Sequence, residues 1–136
     1  MKTAIIYWSA TGNTQAMAEH ILAALKGAGA EADLFSVSEI SPEDAAKYDV
    51  LLLGCPAMGA EELESEEFEP FYTALEGMIA GKTVGLFGSY DWGDGEWLRT
   101  WQERALAAGL NVKDALAVNL NDDPAVPCEA FAKQFA

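Results

Sequence analysis

The sequence predicts an α/β domain, a doubly wound five-stranded parallel sheet covered by helices on both faces in three layers. Three observations carry that reading. Five apolar runs alternate with five helical patterns across one domain, residues 1–136. The third run, DVLLLGC (Asp49–Cys55), is apolar without interruption, as a strand covered on both faces must be. Finally, the connections fall into two chemical kinds. WSATGNT, CPAMGAEEL and SYDWGDGEW follow the first, third and fourth strands, whereas the opposite end has only KGAGAEA, KYD and IAGK. In open parallel sheets ligands bind beyond the carboxyl ends of the strands, at the switch in strand order, so this asymmetry locates a site.

The first strand is read at Thr3–Trp8, followed by a helix over Asn13–Lys26. Met17, Ile21 and Leu25, with Ala18 and Leu22, recur at helical spacing, and Gly27 and Gly29 supply the stop. A second strand, Glu31–Val37, alternates in polarity, which suits a sheet edge. SPED (Ser41–Asp44) gives a short helix an N-cap, a proline at its first position and acids in its first turn. Phe68, Phe71, Tyr72, Leu75 and Met78 form the next helical stripe, with Pro70 near its start. TVGLFGS (Thr83–Ser89) is the fourth strand. Trp97, Trp101, Ala105 and Ala108 mark the following helix, with Asp94 as the expected cap and Gly109 as the stop. Asn111–Val118 is the fifth strand. The last helix begins near Pro124 and aligns Cys128, Phe131, Ala132 and Phe135.

Composition excludes several classes of function. Eight basic against twenty-two acidic residues give a net charge of −14, which argues against nucleic acid or an anionic membrane as partner. No apolar run approaches the roughly 18 residues of a membrane span. MKTAIIYW lacks a small-residue cleavage site and reads as the first strand of a cytoplasmic protein, not as a signal peptide. Cys55 and Cys128 form no C-x-x-C pattern, and both are expected to be reduced and buried. Glu61 stands where a C-x5-R phosphatase loop would need arginine after Cys55. His20, the single histidine, lies mid-helix, so neither a histidine triad nor a zinc site is expected, and no metal is predicted.

The first odd loop sets Ser9, Thr11, Asn13 and Thr14 around Gly12 at a helix start, with no Lys or Arg between Lys2 and Lys26. One helix cap needs one such residue; four point to an anion held by neutral donors and helix N–H groups. The loop is neither G-x-G-x-x-G nor a P-loop, and Gly81-Lys82-Thr83 enters a strand, so no ATPase follows. Met58 after the third strand and Tyr90 and Trp92 after the fourth suggest a flat ring sandwiched beside that anion.

Together these loops resemble the phosphate loop and the two flavin loops of flavodoxins, most closely the short-chain clostridial type, and the similarity runs along the whole chain. The resemblance implies FMN as cofactor and, as the known order of that family, the strand order 2-1-3-4-5. It implies that Ser9, Thr11, Gly12, Asn13 and Thr14, with the Ala10 backbone, hold the phosphate. Met58, in the Pro56-Ala57-Met58 turn, would cover one ring face and Trp92 the other. Backbone groups of Gly59 and Ala60, and of Ser89, Tyr90 and Gly93, would meet the ring edge, and Glu61 would accept from the flavin N3–H. Asn119 is expected to reach the ribityl chain. Asp91 departs from the glycine expected in its place, and Ala60 from a polar residue.

The resemblance further implies a low-potential one-electron carrier cycling through quinone, semiquinone and hydroquinone, with a peptide flip pivoting on Gly59. It is expected to be a monomer and no enzyme, serving reductases and ferredoxin-linked enzymes that carry basic docking patches. No Lys or Arg occurs between Lys47 and Lys82, or between Lys82 and Arg99, while Glu61, Glu62, Glu64, Glu66, Glu67, Glu69, Asp91, Asp94 and Glu96 do. A carboxylate roughly 10 Å from a ring anion costs ~1.7 kcal/mol at an effective dielectric of about 20, on the order of 70 mV for one electron. The acidity is thus expected to depress the second potential and to steer partners. A two-component receiver domain fails, since Ser9-Ala10, Cys55-Pro56 and Val118-Asn119 stand where its acids and lysine belong. An FMN-dependent NAD(P)H:quinone reductase of the same fold, or an FMN domain of a larger reductase, remains the alternative.

Overall fold

The computed structural model describes residues 2–59 and 61–136. Five parallel strands, β1 (Lys2–Tyr7), β2 (Glu31–Ser36), β3 (Val50–Gly54), β4 (Thr83–Tyr90) and β5 (Asn111–Asn119), form one sheet in the order β2-β1-β3-β4-β5. The intervening helices are α1 (Asn13–Gly27), α2 (Pro42–Ala45), α3 (Phe68–Glu76), α4 (Glu96–Ala107) and α5 (Ala125–Lys133). The strand order expected from the resemblance is the one observed.

Alternation along each strand builds two cores. Ala4, Ile6, Leu51, Leu53, Val84 and Leu86 face α3 and α4, where Phe68, Tyr72, Trp97 and Trp101 are buried. Ile5, Leu52 and Phe87 face α1 and α5, where Met17, Ile21, Leu25 and Phe131 are buried. Every residue of β3 is buried, which its unbroken apolar run requires. Its register aligns Leu52 with Ile5 on one side and with Gly85 on the other. At the predicted edge, β2 is exposed or half-buried throughout.

The caps explain where sequence and structure agree or part. Ser41 Oγ accepts from Asp44 N at 3.1 Å and starts α2, with Pro42 in its first turn. Gly29 and Gly109, at φ 83° and 88°, turn the chain away after α1 and α4 in a conformation that favours glycine. Asp94 does not cap α4. Gly95 occupies that position at φ 87°, and Asp94 is instead bound by Arg99 at 3.0 Å. Met78 falls beyond α3 and is exposed, because the helix ends at Glu76 and the chain then turns Ile79 into the core. The first strand begins and ends one residue earlier than expected, although Trp8 N still donates to Gly54 O at 3.0 Å. Both cysteines are free and buried, and they belong to different cores. Among the described residues no helix is long and apolar enough to cross a membrane.

Candidate functional site

All three chemically odd loops meet beyond the carboxyl ends of β1, β3 and β4, beside the place where the chain order reverses between β1 and β3. Parallel pairing forces this, because every strand then ends at the same edge.

At the first loop, Gly12 N donates to Ser9 Oγ at 3.0 Å, and Gly12 turns with φ 93° to start α1. No side chain caps α1 and no acid lies in its first turn. The opening N–H groups of α1, at Asn13, Thr14 and Gln15, have no intrahelical acceptor and sit at the positive end of a 15-residue helix. Asn13 Nδ2 donates to Thr11 Oγ1 at 2.8 Å. The buried Thr14 hydroxyl shares a 2.8 Å hydrogen bond with Ser89 Oγ, fastening this helix start to the end of β4.

The second loop is a tight turn closed by a pair of 2.9 Å hydrogen bonds between the backbones of Met58 and Glu62. Gly59 at φ 47° opens it. Glu61 at φ 56° ends it and is the one non-glycine residue with positive φ among the described residues. Such a conformation is uncommon for glutamate and stores strain of a kind that collects at functional sites. Ala60 lies outside the described residues. Glu61 Oε1 is buried without a hydrogen-bond partner. It fills the space at Gly93, where a Cβ would approach it to 2.5 Å. In this turn between β3 and α3, Oε1 is thus a buried acceptor with no donor among the described residues.

The third loop follows β4, which runs one residue further than expected, to Tyr90. Tyr90 leans on Trp97 with ring centroids 5.7 Å apart, whereas Trp92 is 64 % exposed. Asp91 takes its place without a positive φ. Asn119 Nδ2 donates to Asp91 O in this loop at 3.3 Å and its Oδ1 accepts from Asn121 N at 2.9 Å, which leaves one amide hydrogen and one lone pair for a ligand.

Ser9, Ala10, Thr11, Thr14, Pro56, Ala57, Met58, Ser89, Tyr90 and Asp91 line one cleft of about 490 Å³. Asn13 and Asn119 line a smaller pocket that shares Ser89 with it, and Gly59 lines an adjoining hollow with Met58 and Trp8. Leu120, which sequence reasoning passed over, also lines the cleft. An exposed leucine just past a strand end carries no signal of its own. Trp8 is a second such residue. It reads as strand, yet it lines the hollow beside Met58, and its indole N–H donates to Glu67 Oε1 at 3.3 Å.

The acidic rim is less bare than the spacing of basic residues implies. Arg99 folds back onto Asp94, bonding its backbone oxygen at 2.9 Å and its carboxylate at 3.0 Å. Arg104 pairs with Glu69 at 2.8 Å and with Glu76 at 3.2 Å. The Arg104 hydrogen bond holds the Glu69 carboxyl below its usual range against some burial. Glu64 is buried, which by itself raises its pKa, but hydrogen bonds from the Phe68, Glu67 and Glu66 N–H groups win and lower it. Glu61, Asp94 and Glu96 stay clustered, their carboxylate oxygens within 4.8 Å of one another. Burial pushes both thiols up to about 12, so neither cysteine is a nucleophile at neutral pH.

This geometry can be set beside known proteins. The flavodoxin family model matches residues 5–132. The chain is 48% identical to a flavodoxin of Megasphaera elsdenii over 132 residues, covering 97% of this chain and 96% of that one. It is 42% identical over 134 residues to a flavodoxin of Clostridium beijerinckii, covering 97% of each. The solution structure of the two-electron reduced Megasphaera elsdenii flavodoxin superposes with a TM-score of 0.90 at 47% identity, covering 96% of both chains. Sequence, family model and fold agree: this chain belongs to the flavodoxin family.

Proposed function

We propose that the cleft holds FMN non-covalently, with the phosphate at the start of α1 and the ring between Met58 and Trp92, and that the chain works at low potential. It is a small FMN-binding electron carrier rather than an enzyme. The reading of the site rests above all on one observation. An uncapped helix start with neutral donors opens into the same cleft as a half-buried thioether, and Asp91, the residue before an exposed indole, lines it too. The residues fit the group. A phosphate takes N–H and hydroxyl donors without needing a cation, and the orphaned Glu61 Oε1 suits the one N–H on the polar edge of a flavin.

Bound there, FMN supplies two successive one-electron transfers. The chain's own residues do the rest. Gly59 keeps the neighbouring peptide free to present either its carbonyl or its N–H to the ring edge, since glycine accepts φ of either sign. Trp92 and Met58 exclude water from the faces. Glu61, Glu62, Asp91 and Glu96 place negative charge at the rim, which disfavours adding more and keeps the second potential low. Arg99 tempers this at Asp94.

The same rim is suited to steering partners that carry basic docking patches, such as reductases and ferredoxin-linked enzymes. A net charge of −14 favours a soluble monomer, and two free buried thiols suit the reducing cytoplasm. The relatives are named as flavodoxins, which favours a carrier over a quinone reductase. Raising the salt from about 10 mM to about 150 mM shortens the Debye length from roughly 30 Å to roughly 8 Å. The second-order rate of electron transfer to a basic reductase should then fall by about tenfold. A rate indifferent to salt would remove the steering.

A further inference from the structure

We infer that Glu64 is a positioning residue for the turn that takes the flavin ring, acting through three backbone N–H groups. By sequence it is one more acid in the ELESEEFE run. In the fold it is turned inward, 7% exposed, and tied to the start of α3 and to the residue just past β3. Its Oε1 accepts from Glu67 N at 2.7 Å and Phe68 N at 2.8 Å, and its Oε2 from Glu66 N at 2.9 Å. Its own N–H donates to Cys55 Sγ at 3.4 Å, just past β3. Its carbonyl accepts from Glu69 N at 2.9 Å, inside α3.

The N-cap position of α3, Glu67, makes no side-chain cap. Glu64 replaces that cap from outside the helix, satisfying donors that would otherwise be stranded, with its charge at the favourable helix end. The turn at residues 59–61 carries two left-handed φ values, and strain of that kind persists only where the surroundings hold it. On the β3 side, Cys55 N donates to Phe87 O and Ala57 N to Ser89 O, both at 3.0 Å. On the other side, two residues after the Met58–Glu62 bridge, the chain is anchored by the Glu64 carboxylate. The start of α1 is fastened separately, through Thr14 and Ser89. Glu64 therefore supports the ring grip and leaves the phosphate grip alone.

This inference rests on residues 58–61 being the ring site, so the test carries a control for that. Apoproteins of the wild type, Glu64→Gln, Glu64→Asp and Trp92→Ala are titrated with FMN and with riboflavin, following flavin fluorescence, and folding is monitored by circular dichroism. Glutamine keeps one acceptor oxygen but turns an amide N–H₂ towards N–H donors. Glu64→Gln should lose about tenfold in affinity for both ligands, equivalent to about 1.4 kcal/mol, with their ratio unchanged. Glu64→Asp keeps the charge and should lose less, again equally for both. A folded Glu64→Gln with unchanged affinities, or one that loses FMN but not riboflavin, overturns the inference. If Glu64→Gln does not fold, unchanged affinities in Glu64→Asp overturn it instead. Should Trp92→Ala also leave both affinities untouched, the ring-site reading itself fails.

Discussion

Replacing Gly88 with alanine is expected to destabilise the protein by about 3 kcal/mol, the upper range for overpacking a filled interior. A Cβ built on Gly88 lies 2.1 Å from Cys55 O and 2.9 Å from Trp97 Cζ2. Cys55 O is held in place by the Trp97 indole N–H at 3.1 Å, so it has nowhere to retreat. The strain would push β3 and β4 apart directly beneath the two loops proposed to flank the ring. For a chain of this size such a loss lowers Tm by roughly 10 °C, and flavin affinity should fall with it. Gly54→Ala makes the informative comparison. Its Cβ would come within 2.3 Å of the Phe87 ring, a buried side chain that must repack against Phe131, whereas Gly88 meets backbone, which yields less. Urea midpoints should therefore rank wild type above Gly54→Ala above Gly88→Ala. A Gly88→Ala midpoint equal to that of the wild type would mean that the two strands are not packed as described.

Gly59→Val should bring the two one-electron potentials closer together by about 60 mV or more, a factor of ten for one electron. Among the described residues, chain neighbours aside, no atom lies within 4 Å of a Cβ at Gly59, so the effect is not a collision. It is conformational: φ is 47°, and a β-branched residue resists that region. The left-handed basin costs an ordinary L-residue about 1–2 kcal/mol. Valine therefore biases the peptide against one of the two orientations that glycine allows it to offer the ring edge. Equilibrium redox titrations of the holoproteins measure the gap, and alanine should give a smaller shift in the same direction. A valine variant with the wild-type gap would show that the turn plays no part in separating the two potentials.

Most of the fold was legible because its determinants are local. DVLLLGC announces a doubly covered strand, Ser41 and Pro42 announce a helix start, and Gly109 a helix end, each through its own backbone chemistry. The site was legible through a topological rule, which turns three separate loops into one cleft without any knowledge of contacts. What stayed hidden depends on partners distant in sequence or on choices between adjacent candidates. Asp94 and Gly95 could each have begun α4; the glycine did so by taking φ 87°, freeing Asp94 for Arg99. That same pairing defeats any count of basic residues by sequence interval. Glu64 looks like its neighbours in ELESEEFE until the fold shows which acid points inward. Leu120 offers no chemistry to notice at all.

The proposed FMN site depends on uncharged donors at the opening of α1 gripping a phosphomonoester and so seating the ring. Its most direct test is to titrate the apoprotein with FMN and with riboflavin under identical conditions. Hydrogen bonds to a charged group contribute roughly 1.5–3 kcal/mol each, so losing the phosphate should weaken binding by on the order of 100-fold or more. Equal affinities for the two, or no uptake of FMN, would contradict the account.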